Sequence, residues 1–156
     1  MGRHLYSLLL LFCAPLLIAH VVCKYRRENQ DPMVAQRLGF RVPRRMSGCI
    51  WIHACSLGES KVGVELARAL IRKDPSLRIL MTATTPAGLQ VLAQSEFSSH
   101  VFPWDFRWTW SRWLSTLRPK ALIIIETELW PNLLAACDGE GIPVILANGR
   151  ISDKSV

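Results

Sequence analysis

The chain has 156 residues, half of them hydrophobic, with a mean hydropathy of +0.20 and a formal net charge of +7. That length suits one domain with a real core, and that hydropathy directs attention to a membrane segment. Five cysteines, an odd number with no C-x-x-C spacing, argue against a disulfide framework and suit a reducing compartment.

Residues 5–22 read LYSLLLLFCAPLLIAHVV and carry no Asp, Glu, Lys or Arg. Such a run is near the lower limit for a bilayer-spanning helix, with Pro15 as a kink and His20 near its end. A cleaved signal peptide would need a small-residue cleavage site, and the neighbourhoods of His20 and Val22 supply poor ones. A lipoprotein signal would want a small residue before Cys23, where Val22 stands. An uncleaved anchor fits best. Lys24, Arg26 and Arg27 follow the run, with Arg37, Arg41, Arg44 and Arg45 beyond, and only Arg3 precedes it. The positive-inside rule then places the rest of the chain in the cytoplasm. The basic collar suits anionic lipid head groups or an anionic substrate. Nucleic acid is not expected as a partner, because the basic residues cluster beside the anchor and no nucleic-acid motif occurs.

Residues 1–27 are thus the anchor and its basic flank, and 28–48 a basic linker broken by Pro32 and Pro43, with room for one short helix. From residue 49 the hydrophobic period alternates between strand and helix. Strands are expected at 49–53, 78–82, 101–103, 121–125 and 143–147. Helices are expected at 59–73, from Pro86 with Thr85 as N-cap, at about 106–117, and at 131–137. In the first of these helices Val62, Leu66, Ala69 and Leu70 make an apolar stripe. Phe106, Trp110, Trp113, Leu114 and Leu117 read as core. Trp108 lies off that stripe and is a candidate for the membrane interface. The alternation predicts an α/β fold, a Rossmann-like parallel sheet with right-handed crossovers over residues 49–156. Residues 151–156 resemble the start of a further helix, so a fragment is expected.

Two loops carry the candidate chemistry. His53-Ala54-Cys55-Ser56-Leu57-Gly58-Glu59-Ser60 follows the first strand. It lacks the dinucleotide glycine fingerprint. It does place Ser56, Gly58 and a helix N-terminus where orphan N–H groups can hold an anion. Glu59 has two readings: Ser56-x-x-Glu59 spells a capping box, and a carboxylate, ionised at neutral pH, could take a proton from an attacking hydroxyl. His53, Cys55 and Glu59 make a poor metal site, having no second ligand cluster; a hydrogen bond ordering the loop suits His53 better. The second loop, Glu126-Thr127-Glu128-Leu129-Trp130-Pro131-Asn132, follows a β-branched run that reads as a buried parallel strand. Ligands of open α/β sheets bind at such strand ends. One of Glu126 and Glu128 could instead cap the helix at Pro131, the other being solvated.

Together the two loops resemble the Kdo (3-deoxy-D-manno-oct-2-ulosonic acid) transferases, in their N-terminal half. The matching segments are HACSLGES at 53–60, TATTPAG at 82–88, FPWDF at 102–106, IETELWPN at 125–132 and NGRIS at 148–152, with the Arg37-Leu38-Gly39 collar. Cys55, Leu57 and Gln36 depart from the family's usual residues. The resemblance implies a metal-independent, inverting GT-B glycosyltransferase of the bacterial inner membrane that needs no cofactor. Its donor would be CMP-Kdo, bound largely by a C-terminal domain this chain lacks. Its acceptor would be the phosphorylated lipid A precursor. It puts the general base on Glu59 and implies that Glu126 and Glu128 shape the acceptor site or order the loop of Glu59, and that Asn148 and Arg150 face the cleft. The chain alone is expected to be inactive. The rival reading is a non-catalytic, membrane-anchored module that holds the acceptor lipid. A nucleotide-binding oxidoreductase domain is the third reading, disfavoured by the missing glycine fingerprint.

Overall fold

A computed structural model describes residues 2–29, 31–126 and 128–147, the side chain of Arg45 excepted. The alternating pattern becomes five strands: β1 (Ile50–His53), β2 (Ile79–Ala83), β3 (Ser98–Val101), β4 (Ala121–Ile125) and β5 (Val144–Ala147). All pair in parallel, in the order β3-β2-β1-β4-β5. Six α-helices accompany them: α1 (Gly2–Arg27), α2 (Val34–Arg37), α3 (Leu57–Lys73), α4 (Pro86–Ala93), α5 (Arg107–Leu117) and α6 (Pro131–Gly139). The fold is the expected α/β, Rossmann-like sheet.

Strand residues alternate between two cores, as the period of the pleat requires. Trp51, Leu80, Leu122 and Ile124 point to one face, where they meet Trp110, Trp113 and Leu117 of α5 and Leu133 and Cys137 of α6. Ile52, Met81, Ile123 and Ile125 point to the other, against Val64 and Ala67 of α3 and Leu92 of α4. Of the stripe read from the sequence, Leu66 and Leu70 pack against this core, but the buried centre of α3 lies beside it. Val62 is exposed, and Ser60, Gly63, Val64 and Ala67 are buried. A Cβ on Gly63 would lie 3.1 Å from Met81 Cε, so small residues bring this helix onto the sheet. The third strand also begins earlier than expected, at Ser98, where a half-exposed edge tolerates two serines.

The segment between α1 and the sheet packs closely. Arg37, read from sequence as part of a lipid-facing collar, is buried. Its Nη2 donates to Tyr25 Oη at 2.6 Å and to Thr84 O at 3.1 Å, and its Nε to Pro32 O at 3.2 Å. Burial pushes its pKa down, the Tyr25 hydroxyl opposing; an arginine so partnered stays charged. The guanidinium therefore bolts the end of α1 to the loop after β2. Gly39 follows with φ +77°, and a Cβ there would lie 2.5 Å from Thr109 Cγ2. Gly39→Ala thus combines a left-handed backbone with a collision. We expect it to cost about 2–4 kcal/mol, read as a fall in thermal midpoint, with Thr109→Ser recovering only part of it.

Candidate active site

The chain leaves β1 towards β2 and β3 and later leaves β4 towards β5, so the sheet reverses its winding between β1 and β4. Such a switch point opens a crevice at the carboxyl ends of the two strands. His53 pairs with Ile124 across it, and the loops 53–60 and 125–132 form its two walls.

In the first wall Ser56 is the N-cap of α3, its Oγ accepting the Glu59 N–H at 3.3 Å. The Glu59 carboxylate reaches back: Oε2 accepts the Cys55 N–H at 2.8 Å and Oε1 accepts the Ser56 hydroxyl at 2.6 Å. The Ser56 half of the capping box is thus realised, while the Glu59 carboxylate takes the amide of Cys55 in place of the N-cap amide. These bonds fix the side-chain rotamer and use two of about four lone-pair sites on a carboxylate. The side chain remains half-buried, not enclosed. Gly58 is exposed at the first turn of α3, with open space where a Cβ would stand. The loop after β2 latches onto this wall: Thr85 donates to Cys55 O from its hydroxyl at 2.9 Å and from its N–H at 3.1 Å.

The second wall carries the acids. Glu126 ends β4 in the left-handed region, φ +63°, and its N–H donates to Ala147 O at 2.8 Å. A non-glycine residue held there stores about 1–3 kcal/mol of strain, a feature that concentrates at functional sites. Glu128 turns inward, its Oε2 lying 3.6 Å from Nε2 of the fully buried His53. The contact with His53 holds the Glu128 carboxyl below the usual range against the opposing cost of burial, and Cys55 and Trp130 add to it. Cys55 lies between the two acids: its N–H serves Glu59, and its thiol interacts with Glu128. Burial first, then Glu128, pushes the Cys55 thiol up to about 12, so it is a weak donor here and no nucleophile. Glu59 and Glu128 thus both stand close to Cys55, the first as a hydrogen-bond acceptor and the second as a charge that perturbs its thiol.

His53 orders this arrangement from behind, the loop-ordering role expected of it. Its Nδ1 lies 3.1 Å from Thr82 Oγ1 and 3.2 Å from Thr82 O, its ring stacks on Phe102 at 3.7 Å, and Trp51 Nε1 donates to Thr82 Oγ1 at 2.9 Å. One proton assignment fits the geometry: Trp51 donates to Thr82, Thr82 to Nδ1, and Nε2–H faces Glu128 at 3.6 Å, beyond hydrogen-bond distance. Four buried polar atoms around the crevice have no hydrogen-bond partner: His53 Nε2, Thr84 Oγ1, Glu128 Oε2 and Trp130 Nε1. His53 Nε2 and Glu128 Oε2 face each other at 3.6 Å, and a polar group entering between these loops would find all four within a small space.

Neither Glu126 nor Glu128 caps α6. The cap is Asp105, buried in the loop after β3, whose Oδ2 accepts the Asn132 N–H and Oδ1 the Leu133 N–H, both at 2.9 Å. Among the described residues, no group of three His, Cys, Asp or Glu is placed to hold a metal. Asn148 and Arg150 lie outside the described residues. Sequence reasoning gave no role to Thr82 or Asp105; only the TATTPAG and FPWDF segments of the resemblance touched them.

A family model for 3-deoxy-D-manno-octulosonic-acid transferase (kdotransferase) matches residues 33–156. The 3-deoxy-D-manno-octulosonic acid transferase of Bordetella pertussis is 31% identical over 169 residues, covering 100% of this chain and 39% of the relative. That of Haemophilus influenzae is 33% identical over 165 residues, covering 99% and 38%. A probable mitochondrial 3-deoxy-D-manno-octulosonic acid transferase of Arabidopsis thaliana is 40% identical over 109 residues, covering 68% and 24%. The chain spans about two fifths of the length of the first two relatives, as their N-terminal part. On this match over most of its length, with both crevice loops inside it, the chain belongs to the 3-deoxy-D-manno-octulosonic acid transferase family.

Proposed function

We propose that this chain is the acceptor-side half of a membrane-bound glycosyltransferase of GT-B type, which moves Kdo from CMP-Kdo to the lipid A precursor. The observation that carries this reading is the fixed Glu59 carboxylate at the switch point, with Glu128 held against His53 on the facing loop. In the reaction, an acceptor hydroxyl entering the crevice gives its proton to Glu59 as its oxygen attacks the anomeric carbon of Kdo. The CMP leaves from the opposite face, which inverts that carbon. The chemistry asks of this half only a fixed base, hydroxyl-binding groups and a place for phosphate. Ser56 and Gly58 open the first turn of α3 to an acceptor phosphate. Asn148 and Arg150, which follow β5 in the sequence, are assigned to the cleft by the family resemblance alone, and the donor is held mainly by the further domain.

The test is transfer by the full-length protein in detergent, with CMP-Kdo, a tetraacylated bisphosphoryl glucosamine disaccharide and excess chelator. Kdo should appear on the disaccharide at an unchanged rate when divalent ions are stripped. Binding of the disaccharide without any transfer would favour the rival reading of a non-catalytic lipid-holding module, which the double engagement of the Glu59 carboxylate as a cap also suits.

A further inference from the structure

The helix α1 is the one element among the described residues long and apolar enough to cross a membrane. Its contacts argue for another placement. Near its start, the Ser7 hydroxyl lies 2.9 Å from Asn132 Oδ1 at the beginning of α6. His4, Ser7, Leu8 and Leu11 wall a crevice of about 290 Å³ against Phe106, Arg107 and Trp108. Near its end, Tyr25 is buried against Arg37, which in turn holds Thr84. Between them, Leu10, Ala14, Leu17 and Val21 are half-buried at the spacing of one helical face. Ser7 and Tyr25 are 18 residues apart, about 27 Å along a helix and close to the thickness of a bilayer core. Both ends thus rest on the same folded unit.

A helix that crosses a bilayer puts its ends on opposite sides. With these contacts kept, crossing would draw Asp105, Arg107 and Asn132 into hydrocarbon, at several kcal/mol for each unmatched polar group. The face of α1 turned from the domain is the lipid-like one: Leu5, Leu9, Phe12 and Leu16 are exposed, Phe12 at 88%. The helix has no acidic residue, and basic groups stand at both ends: Arg3 at one, Lys24, Arg26 and Arg27 at the other. Trp108, 47% exposed and stacked on Phe106 at 4.3 Å, sits beside this face. Aromatic and basic groups flanking an apolar face fit the head-group boundary of an anionic leaflet.

We propose that α1 lies in the plane of the membrane surface, one face on the α/β unit and the other in an anionic leaflet, instead of crossing the bilayer. Its two anchorage points are the loops after β2 and before α6, both at the carboxyl edge of the sheet. The arrangement sets the crevice at head-group height, where an amphiphilic acceptor presents its polar part.

The test uses the full-length protein in spheroplasts of a Gram-negative host, with Cys13 and Cys23 changed to Ala and a reporter thiol from Gly2→Cys, an exposed position with open space around its Cβ. A membrane-impermeant maleimide should label the reporter only after lysis. A second protein, Ser7→Cys with Asn132→Cys, should form an oxidative cross-link in native membranes, read by mass spectrometry. Leu8→Cys with Trp108→Cys, probed by a short bismaleimide, gives the same reading should that pair not accumulate. Labelling in intact spheroplasts overturns the proposal outright. Protection without either cross-link overturns it too, because the helix would then be free of the domain.

Discussion

Glu59→Gln in the full-length protein is expected to lower kcat for Kdo transfer by about 10²–10⁴-fold, with a much smaller change in KM and a nearly unchanged thermal midpoint. The amide keeps the shape of the side chain. Its oxygen can still accept the Cys55 N–H, and its NH₂ can donate to Ser56 Oγ where the carboxylate now accepts. The cap survives and the basic oxygen does not, so the substitution separates the two roles that coincide at this position. Glu59→Ala removes both; it should show the same loss of transfer together with about 1–2 kcal/mol of destabilisation from the broken capping box. Should Glu59→Gln transfer Kdo at close to the wild-type rate, Glu59 is a cap and nothing more, and the base must be sought elsewhere in the crevice.

The hydrogen bonds that make Glu59 look structural also suit it to catalysis. A base on a loose loop samples many rotamers and spends little time aimed at its substrate. Here the Cys55 amide and the Ser56 hydroxyl hold the carboxylate in one orientation, and Thr85 holds Cys55 in turn. On the other wall, strain at Glu126 reverses the chain so that Glu128 meets His53. Positioning of this kind is a main source of rate in proton transfer by a side-chain base.

What could be read from the sequence was local. Residues 121–125 form β4 as expected, because a continuous β-branched run has few alternatives. Thr85 and Ser56 cap their helices as expected, since a cap depends on residues within one turn. The packing side of α3 was legible only in part: Leu66 and Leu70 meet the core as expected, but Gly63 and Ala67 face the sheet by virtue of small size, which hydropathy does not register. The fate of Arg37 was hidden for the same reason: a basic residue in a basic stretch looks solvated until Tyr25 and Thr84 close around it. In the site, Glu59 and the two strand-end acids were visible as residue types in suggestive places. The connection of Trp51 through Thr82 and His53 to Glu128 links β1, β2 and the segment after β4 and leaves no spacing signal.

The cap of α6 is the clearest long-range case, and it carries the largest expected effect on stability. Asp105 is 1% exposed and accepts the Asn132 and Leu133 amides and the Trp110 indole N–H. In addition, the Asn132 side-chain amide donates to its backbone carbonyl at 2.6 Å. Burial raises its pKa above the ordinary carboxylate range even so, the Asn132, Trp110 and Leu133 donors pulling the other way. The carboxylate is therefore costly to bury but costlier to remove, because its loss orphans three buried donors at once, two of them at a helix N-terminus. Asp105→Ala is expected to cost about 3–5 kcal/mol, a large part of the total stability of a domain of this size. In the purified full-length protein that should appear as a fall of about 10 °C or more in the midpoint of the transition of this half. Asp105→Asn keeps one acceptor oxygen but turns an NH₂ against the remaining donors, so its loss should be intermediate. The acid dependence follows from the raised pKa. With the folded value above the unfolded one, ionisation of Asp105 opposes folding, so its contribution becomes more favourable as the pH falls through the folded pKa. The stability difference between wild type and Asp105→Asn should therefore change with pH across the carboxylate range. If Asp105→Ala melts with wild type, α6 and the wall bearing Glu128 are held by packing alone, and the FPWDF and ETELWPN segments are not coupled through this carboxylate.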